Sequence, residues 1–113
     1  MSAAAAPLCA LEAIADGGSI GLTAEIDGLR TGLMVLRQGE RVFIYNNTCP
    51  HIGAPLDFEP GQFLNLQRDF IQCAMHGALF RIDDGHCVFG PCVGQALTPI
   101  ACEVRDGGVW LLV

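Results

Sequence analysis

The sequence predicts an all-β domain, with an antiparallel β-sandwich or barrel framework that carries a small inserted subdomain. Short aliphatic and β-branched runs alternate with Gly, Asp, Asn and Pro over most of the chain, a pattern typical of short strands joined by tight turns. A chain of 113 residues has room for one domain only. We therefore expect a single domain over 1–113, with framework segments 7–45 and 98–113 and an insertion at about 46–97.

The first half of the chain contains one short helical candidate and one clear hairpin. Residues 8–15 have helical character, but Asp16 and the two glycines after it stop any helix within a turn or two. Residues 33–36 and 41–45 read as two strands joined across 38–40. The second of these runs alternates polar and apolar residues, which predicts a half-buried strand.

The second half of the chain contains two further turn signals. Residues 83–85 read Asp-Asp-Gly and predict a turn. Near the C-terminus, residues 103–105 and 109–113 flank an Asp-Gly-Gly run at 106–108, a composition that tolerates the positive φ of a tight hairpin turn. Both signals fit antiparallel strands that follow one another along the chain.

The composition excludes several classes of function. The formal net charge is −6, only 16% of residues are charged, and all basic residues are arginines. A nucleic-acid binder needs a basic face to neutralise phosphates, so that class is excluded. The absence of lysine also removes P-loop and Schiff-base chemistry.

Six cysteines in a short chain raise the possibility of a secreted disulfide scaffold. No basic residue precedes Arg30, however, and Glu12 interrupts the apolar start of the chain. We therefore predict no secretory signal and no membrane-spanning segment, and we expect a cytoplasmic protein. In that reducing compartment, cysteines serve as metal ligands, catalytic groups or core residues.

The inserted region contains two short patterns that each pair a cysteine with a histidine. Residues 49–53 read Cys-Pro-His-Ile-Gly, and residues 73–77 read Cys-Ala-Met-His-Gly. Because thiolate and imidazole are both strong metal ligands, these patterns predict a metal site formed by Cys49, His51, Cys73 and His76. The region is otherwise rich in irregular loops, which a metal centre would organise.

The choice of metal depends on how the ligands are grouped. Structural zinc sites usually take paired cysteines from one loop and paired histidines from another, whereas each loop here supplies one of each. Two mixed loops suit a two-iron cluster in which one iron takes both cysteines and the other takes both histidines. A zinc-stabilised interaction module stays open as an alternative at this point.

With these motifs, the chain from about Leu8 to its C-terminus resembles a Rieske-type 2Fe-2S ferredoxin, and it is most similar to the small ferredoxins of aromatic-ring-hydroxylating dioxygenases. The resemblance implies one cluster per chain, with Cys49 and Cys73 on one iron and His51 and His76 on the outer iron. It also implies that the glycines closing the two motifs let backbone amides approach the bridging sulfides.

The same resemblance implies a proline-bearing loop over the cluster at Gly90 and Pro91. The segment 52–72 is longer than the family's usual separation, and we expect the excess to form a surface loop around residues 59–62. Low-potential members lack the disulfide and the serine hydroxyl of their respiratory relatives. Since Ala54 and Ala78 replace those groups, we predict a midpoint near the low end of the Rieske range, about −150 mV.

The function implied is one-electron transfer from a flavoprotein reductase to a Rieske oxygenase, by a carrier that is not itself an enzyme. We expect a monomer or weak oligomer, with no nucleic-acid or membrane partner. The acidic balance favours transient docking on basic partner surfaces. An accessory Rieske subunit or redox sensor bound to a larger complex is the alternative.

The remaining candidate residues receive structural interpretations. We predict that His86 is solvated at a hairpin tip and that Trp110 is a core residue whose N–H finds a partner. Cys87 and Cys92 could form a bridge or a redox pair. We instead interpret Cys87 as a strand core residue and Cys92 as part of the proline loop near the cluster, where it could tune the potential or suffer oxidation. Two further cysteines are expected to pack in the framework sheets, namely Cys9 and Cys102.

Overall fold

The computed structural model describes residues 7–48, 56, 61–73 and 77–112. Within these residues, nine strands form three antiparallel sheets of three strands each. The strands are β1 (Cys9–Ala10), β2 (Ser19–Ile26), β3 (Leu29–Gln38), β4 (Arg41–Asn46), β5 (Phe70–Gln72), β6 (Leu79–Arg81), β7 (Cys87–Phe89), β8 (Cys102–Arg105) and β9 (Gly108–Leu111). The sheet orders are β1-β9-β8, β2-β3-β4 and β5-β6-β7.

The largest sheet is formed by the hairpins β2-β3 and β3-β4. The first hairpin turns at Asp27 and Gly28, whose φ angles are 51° and 80°. Positive φ at both positions gives a two-residue turn whose twist matches that of the flanking strands. The second turns at Gly39, with φ 65°, which confirms the hairpin predicted there. Residues 98–100 bond to the outer side of β4 through the amide of Ile100 and the carbonyl of Ile44 (2.9 Å).

Strand β3 separates two hydrophobic cores. Its residues from Leu33 to Leu36 are all buried, and successive side chains on a strand point to opposite faces. Leu33 and Val35 therefore pack into a framework core, whereas Met34 and Leu36 pack into a second core. The framework core also contains Ile14, Ile44, Val109 and Leu111. The second core collects side chains of the inserted region, including Phe63, Ile71, Cys73, Phe80, Cys87 and Cys92.

The two chain ends meet in the β1-β9-β8 sheet. Strand β1 pairs with β9, with Cys9 opposite Val109. The expectation of at most a turn or two of helix in residues 8–15 is confirmed, because Leu11–Ala13 form a single turn of 3-10 helix. The strand at Cys9–Ala10 was not predicted. The N-terminal segment instead completes the edge of the β8-β9 hairpin, where backbone bonding to β9 outweighs local helix propensity.

The β8-β9 hairpin turns where the Asp-Gly-Gly run predicts it. Asp106 and Gly107 adopt positive φ angles of 51° and 71°. Trp110 lies on this hairpin and is half-buried, so the prediction that it is a core residue is wrong. Its indole Nε1–H donates to the Arg105 carbonyl (3.3 Å), and the Arg105 guanidinium lies 4.0 Å from the ring centroid. The predicted hydrogen-bond partner therefore exists.

The third sheet, β5-β6-β7, carries the inserted region and packs against the large sheet through Tyr45. The predicted turn at 83–85 lies between β6 and β7, with Gly85 at φ 72°. A Cβ on Gly85 would lie 2.8 Å from Tyr45 Cε1, so only glycine permits this approach. The Tyr45 hydroxyl donates to the Ile82 carbonyl at 2.6 Å.

The all-β prediction is confirmed. The sheets of the described residues are open rather than closed into a barrel. In the same part of the chain, no helix has the length and apolar character needed to cross a bilayer.

Candidate metal centre

The first Cys-His pattern lies between two described anchors. Cys49, His51 and the glycine that closes the pattern lie outside the described residues. On one side, the Asn47 amide donates to the Gly32 carbonyl at 2.9 Å. On the other side, Leu56 is fully buried, and its amide donates to Asn47 Oδ1 at 2.8 Å. One asparagine therefore ties both ends of the segment that contains the first predicted ligands.

The second Cys-His pattern occupies the turn between β5 and β6. Cys73 is fully buried, and its amide donates to the Ala78 carbonyl at 2.9 Å. The Gly77 amide donates back to the Cys73 carbonyl at 3.0 Å. These two bonds join the two ends of the segment 73–78. Residues 74–76, with the predicted ligand His76, lie outside the described residues. The strands thus fix Cys73 at the base of a short loop, as a ligand at a strand end requires.

Glycine is needed at the end of this second loop. Gly77 has φ 67°, in the left-handed region that favours glycine. No atom of the other described residues lies within 4 Å of the position of a Cβ on Gly77. Glycine is therefore required here by its backbone conformation and not by contact with the other described residues.

A third segment packs directly on the second loop. Gly90 follows β7, has φ 103°, and a Cβ there would lie 2.9 Å from Ala78 Cα. Pro91 is exposed beside it. The glycine-proline segment that the resemblance singles out is thus in backbone contact with the residue after Gly77. The sequence pattern alone did not predict this contact.

The described residues fit a 2Fe-2S cluster. Cys73 offers a buried thiol at the base of a closed loop, and Gly77 leaves its backbone unobstructed by other described residues. Two thiolates and two imidazoles are the donor set of a Rieske centre. Since Cys49, His51 and His76 lie outside the described residues, the assignment of all four ligands stays a prediction.

Cys87 and Cys92 lie next to this region and next to each other. Their Sγ atoms are 3.2 Å apart, and both side chains are about 1% exposed. The prediction that Cys87 is a strand core residue is confirmed. Cys92 is buried as well, and its place near the cluster stays a prediction. A bridge or redox pair between them was considered from the sequence but not favoured, and the structure brings the two thiols into contact. The signal for it was the glycine-proline pair at 90–91, which turns the chain between the two cysteines.

The charged groups of the inserted sheet lie at the β6-β7 turn. Asp84 forms an ion pair with Arg81 (2.8 Å) and accepts a bond from the His86 amide (2.9 Å). The Arg81 bond, followed by the His86 amide bond, lowers the pKa of Asp84 below its usual value. His86 is exposed at this hairpin, as predicted.

The family-model comparison matches residues 6–104 of the chain to the Rieske [2Fe-2S] domain. The chain belongs to the Rieske [2Fe-2S] domain family. This Rieske domain is accordingly an electron-transfer component that binds one 2Fe-2S cluster per chain. No curated protein sequence matches the chain.

Solved structures have the same fold as this Rieske domain. The ferredoxin of carbazole 1,9a-dioxygenase from Nocardioides aromaticivorans IC177 is 21% identical with a TM-score of 0.74, and the alignment covers 99% of this chain and 98% of that one. The Sphingomonas yanoikuyae B1 ferredoxin is 23% identical with a TM-score of 0.71, over 96% and 97% of the chains. A chain in the complex of reduced oxygenase and oxidized ferredoxin in carbazole 1,9a-dioxygenase is 25% identical with a TM-score of 0.71, over 95% and 91%.

Proposed function

We propose that this Rieske domain is a one-electron carrier that receives electrons from a flavoprotein reductase and delivers them to a terminal oxygenase. The observation that carries this proposal is the buried Cys73 at the base of a closed loop, with the Gly90 segment packed on the same loop, inside a chain matched to the Rieske family. The similar chain found in a complex of oxygenase and ferredoxin supports the type of acceptor.

The proposed ligand set is Cys49 and Cys73 on one iron and His51 and His76 on the other. When bound, the cluster supplies the one-electron acceptor and donor. The chain contributes rigid support, since both ligand-bearing segments begin at strand ends. The first is closed by the bond from the Leu56 amide to the Asn47 side chain, and the second by backbone hydrogen bonds. At Ala78 the side chain carries no hydroxyl, so it donates no bond that would stabilise the reduced state. This supports the low midpoint predicted above.

The proposed carrier is not itself an enzyme, and its partners dock transiently. A net charge of −6 attracts basic partner surfaces over the distance of a Debye length and accelerates encounter without adding much affinity. We place this exchange in the cytoplasm, where thiols stay reduced. We also propose the division into a framework, 7–45 and 98–113, and a cluster-binding part at about 46–97.

The ligand assignment is tested by comparing Cys73→Ser with Cys102→Ser. Cys102 is a half-buried thiol of the framework, so its variant controls for the loss of a cysteine. We expect wild type and Cys102→Ser to contain two irons and two sulfides per chain and to give a Rieske-type EPR signal on reduction. We expect Cys73→Ser to lose that signal. Iron retained at wild-type level in Cys73→Ser, or zinc in place of iron in wild type, would contradict the proposal.

The carrier role is tested in solution. Reduced chain, prepared with a reductase or chemically, is mixed with the oxidised oxygenase component of a Rieske dioxygenase, and cluster absorbance is followed in time. With a reductase and its electron donor present to re-reduce the cluster, many oxygenase reductions for each dissociated chain support a carrier. Activity confined to a stable co-purifying complex would instead identify an accessory subunit.

A further inference from the structure

Cys87 and Cys92 are positioned for bond formation. Their Sγ atoms lie 3.2 Å apart, in contact but not bonded. Since a disulfide has an S–S length of about 2.05 Å, the two sulfurs need to approach by only about 1 Å. The Cys87 thiol also lies 3.3 Å from the Phe89 carbonyl, to which it can donate.

The main chain holds the two cysteines together. The Cys87 amide donates to the Gln95 carbonyl at 2.9 Å, and the Gln95 amide donates to the Cys92 carbonyl at 2.9 Å. The main chain of Gln95 therefore connects the main chains of both cysteines. Their proximity is a property of the fold, so ordering the chain for cross-linking costs little further entropy.

The framework cysteines provide an internal contrast. Cys9 and Cys102 are half-buried, whereas Cys87 and Cys92 are both about 1% exposed. The Cys102 thiol donates weakly to the Val42 carbonyl at 3.6 Å. Both framework cysteines pack against the framework core, whereas Cys87 and Cys92 belong to the second core.

We infer that Cys87 and Cys92 form a reversible dithiol–disulfide site that reacts with a small disulfide of the glutathione class. One Sγ attacks the small disulfide, whose S–S bond breaks as the first glutathione thiol leaves. The second Sγ then displaces the other glutathione, and the Cys87–Cys92 bond forms. The two protein thiols lose two electrons and two protons, and glutathione disulfide gains them to give two thiols.

Local opening gives access to the buried sulfurs. Phe89 and Val93, which lie beside the two cysteines in sequence, are 62% and 61% exposed. The bond from the Val93 amide to the Gly90 carbonyl is long, at 3.4 Å. The segment therefore opens at lower cost than the sheet. Because Gly90 lies between the cysteines and contacts Ala78, the site adjoins the predicted cluster loop.

The test is thiol mapping of the cluster-loaded protein in glutathione redox buffers. Thiols are blocked at equilibrium and the chain is cut with trypsin and chymotrypsin. Cleavage after Arg81, Phe89 and Leu97 places the two cysteines on different peptides. We expect oxidising buffers to join peptides 82–89 and 90–97 through a disulfide and dithiothreitol to separate them. Iron content is measured on the same samples and should stay constant.

The controls separate this site from general thiol oxidation. Cys102→Ser should form the same cross-linked peptides. Cys9 should remain a free thiol, and so be recovered in alkylated form, in the buffers that oxidise the pair. Cys92→Ser should form no cross-link. The inference is overturned if both thiols stay alkylated in the most oxidising buffer, if glutathione adducts accumulate without the internal bond, or if the bond forms only after iron is lost. Because the mapping detects thiols directly, its outcome is independent of electron transfer to an oxygenase.

Discussion

At the scale of single residues, Tyr45 connects the large β2-β3-β4 sheet to the β6-β7 turn of the inserted sheet. Its side chain is almost fully buried, its hydroxyl donates to the Ile82 carbonyl, and its ring lies against Gly85. Burial, followed by the nearby charges of Asp84 and Asp83, raises the pKa of Tyr45 above its ordinary value. The phenol therefore stays neutral in the folded protein at pH values where an unfolded chain would ionise.

This pKa shift predicts a loss of stability at alkaline pH. Below about pH 10, the ordinary tyrosine pKa, the contribution of Tyr45 is fully present, because folded and unfolded phenols are both protonated. Above that pH, only the unfolded phenol ionises, so the free energy of unfolding falls. Tyr45 is the only tyrosine in the chain, so tyrosinate absorbance should appear together with unfolding, monitored by Trp110 fluorescence.

The Tyr45→Phe variant is the matched control for that titration. It should lose the alkaline tyrosinate transition and, because the Ile82 carbonyl is left without its donor, about 1–2 kcal/mol of stability at neutral pH. Ionisation of Tyr45 at its ordinary pKa in the folded protein would contradict the buried hydrogen bond.

At the scale of elements, the segment 90–94 that follows β7 packs on the second Cys-His loop; we call it the Gly90 segment. Two glycines of this segment, Gly90 and Gly94, have similar positive φ angles of 103° and 96°. A Cβ at Gly90 would lie 2.9 Å from Ala78 Cα, whereas at Gly94 no described atom lies within 4 Å. Adding a side chain at either position has a similar conformational cost in folding free energy. Only at Gly90 does it also cause a steric overlap with described atoms.

The pair predicts unequal effects of alanine. Gly94→Ala should cost about 1–3 kcal/mol for its backbone conformation. Gly90→Ala should cost more by about 1–3 kcal/mol, because backbone atoms must move to remove the overlap with Ala78. The measurement is chemical denaturation of both variants, with iron content as a second readout. Equal losses would show that the Gly90 segment does not pack on the second loop.

At the scale of the whole molecule, the net charge of −6 should determine the salt dependence of electron exchange. We expect the reduced protein to be oxidised more slowly by a cationic cobalt complex as ionic strength rises, because screening weakens attraction. With ferricyanide the trend should be opposite, because screening weakens repulsion. Stopped-flow rates between low and high salt measure both, and the same slope for the two oxidants would contradict electrostatic steering.

By itself, the sequence determined the all-β class, the turns at Gly39, Gly85 and Asp106–Gly107, and the Rieske family motifs. These are local properties: glycine permits the positive φ of a turn, and a short motif places its candidate ligands within a few residues of each other. It could not predict that residues 9–10 become a strand, because their partner, β9, lies at the other end of the chain. Local propensity favoured a helix there, and long-range pairing prevailed.

Only the tertiary structure decided which side chains share a core. Strand β3 sends alternate residues to two cores, and this division places Cys73, Cys87 and Cys92 in one and Cys9 and Cys102 in the other. It also brought Gly90 onto Ala78 and the sulfurs of Cys87 and Cys92 to 3.2 Å. Such contacts depend on how sheets pack, and packing distances are set by the whole fold rather than by spacing along the chain.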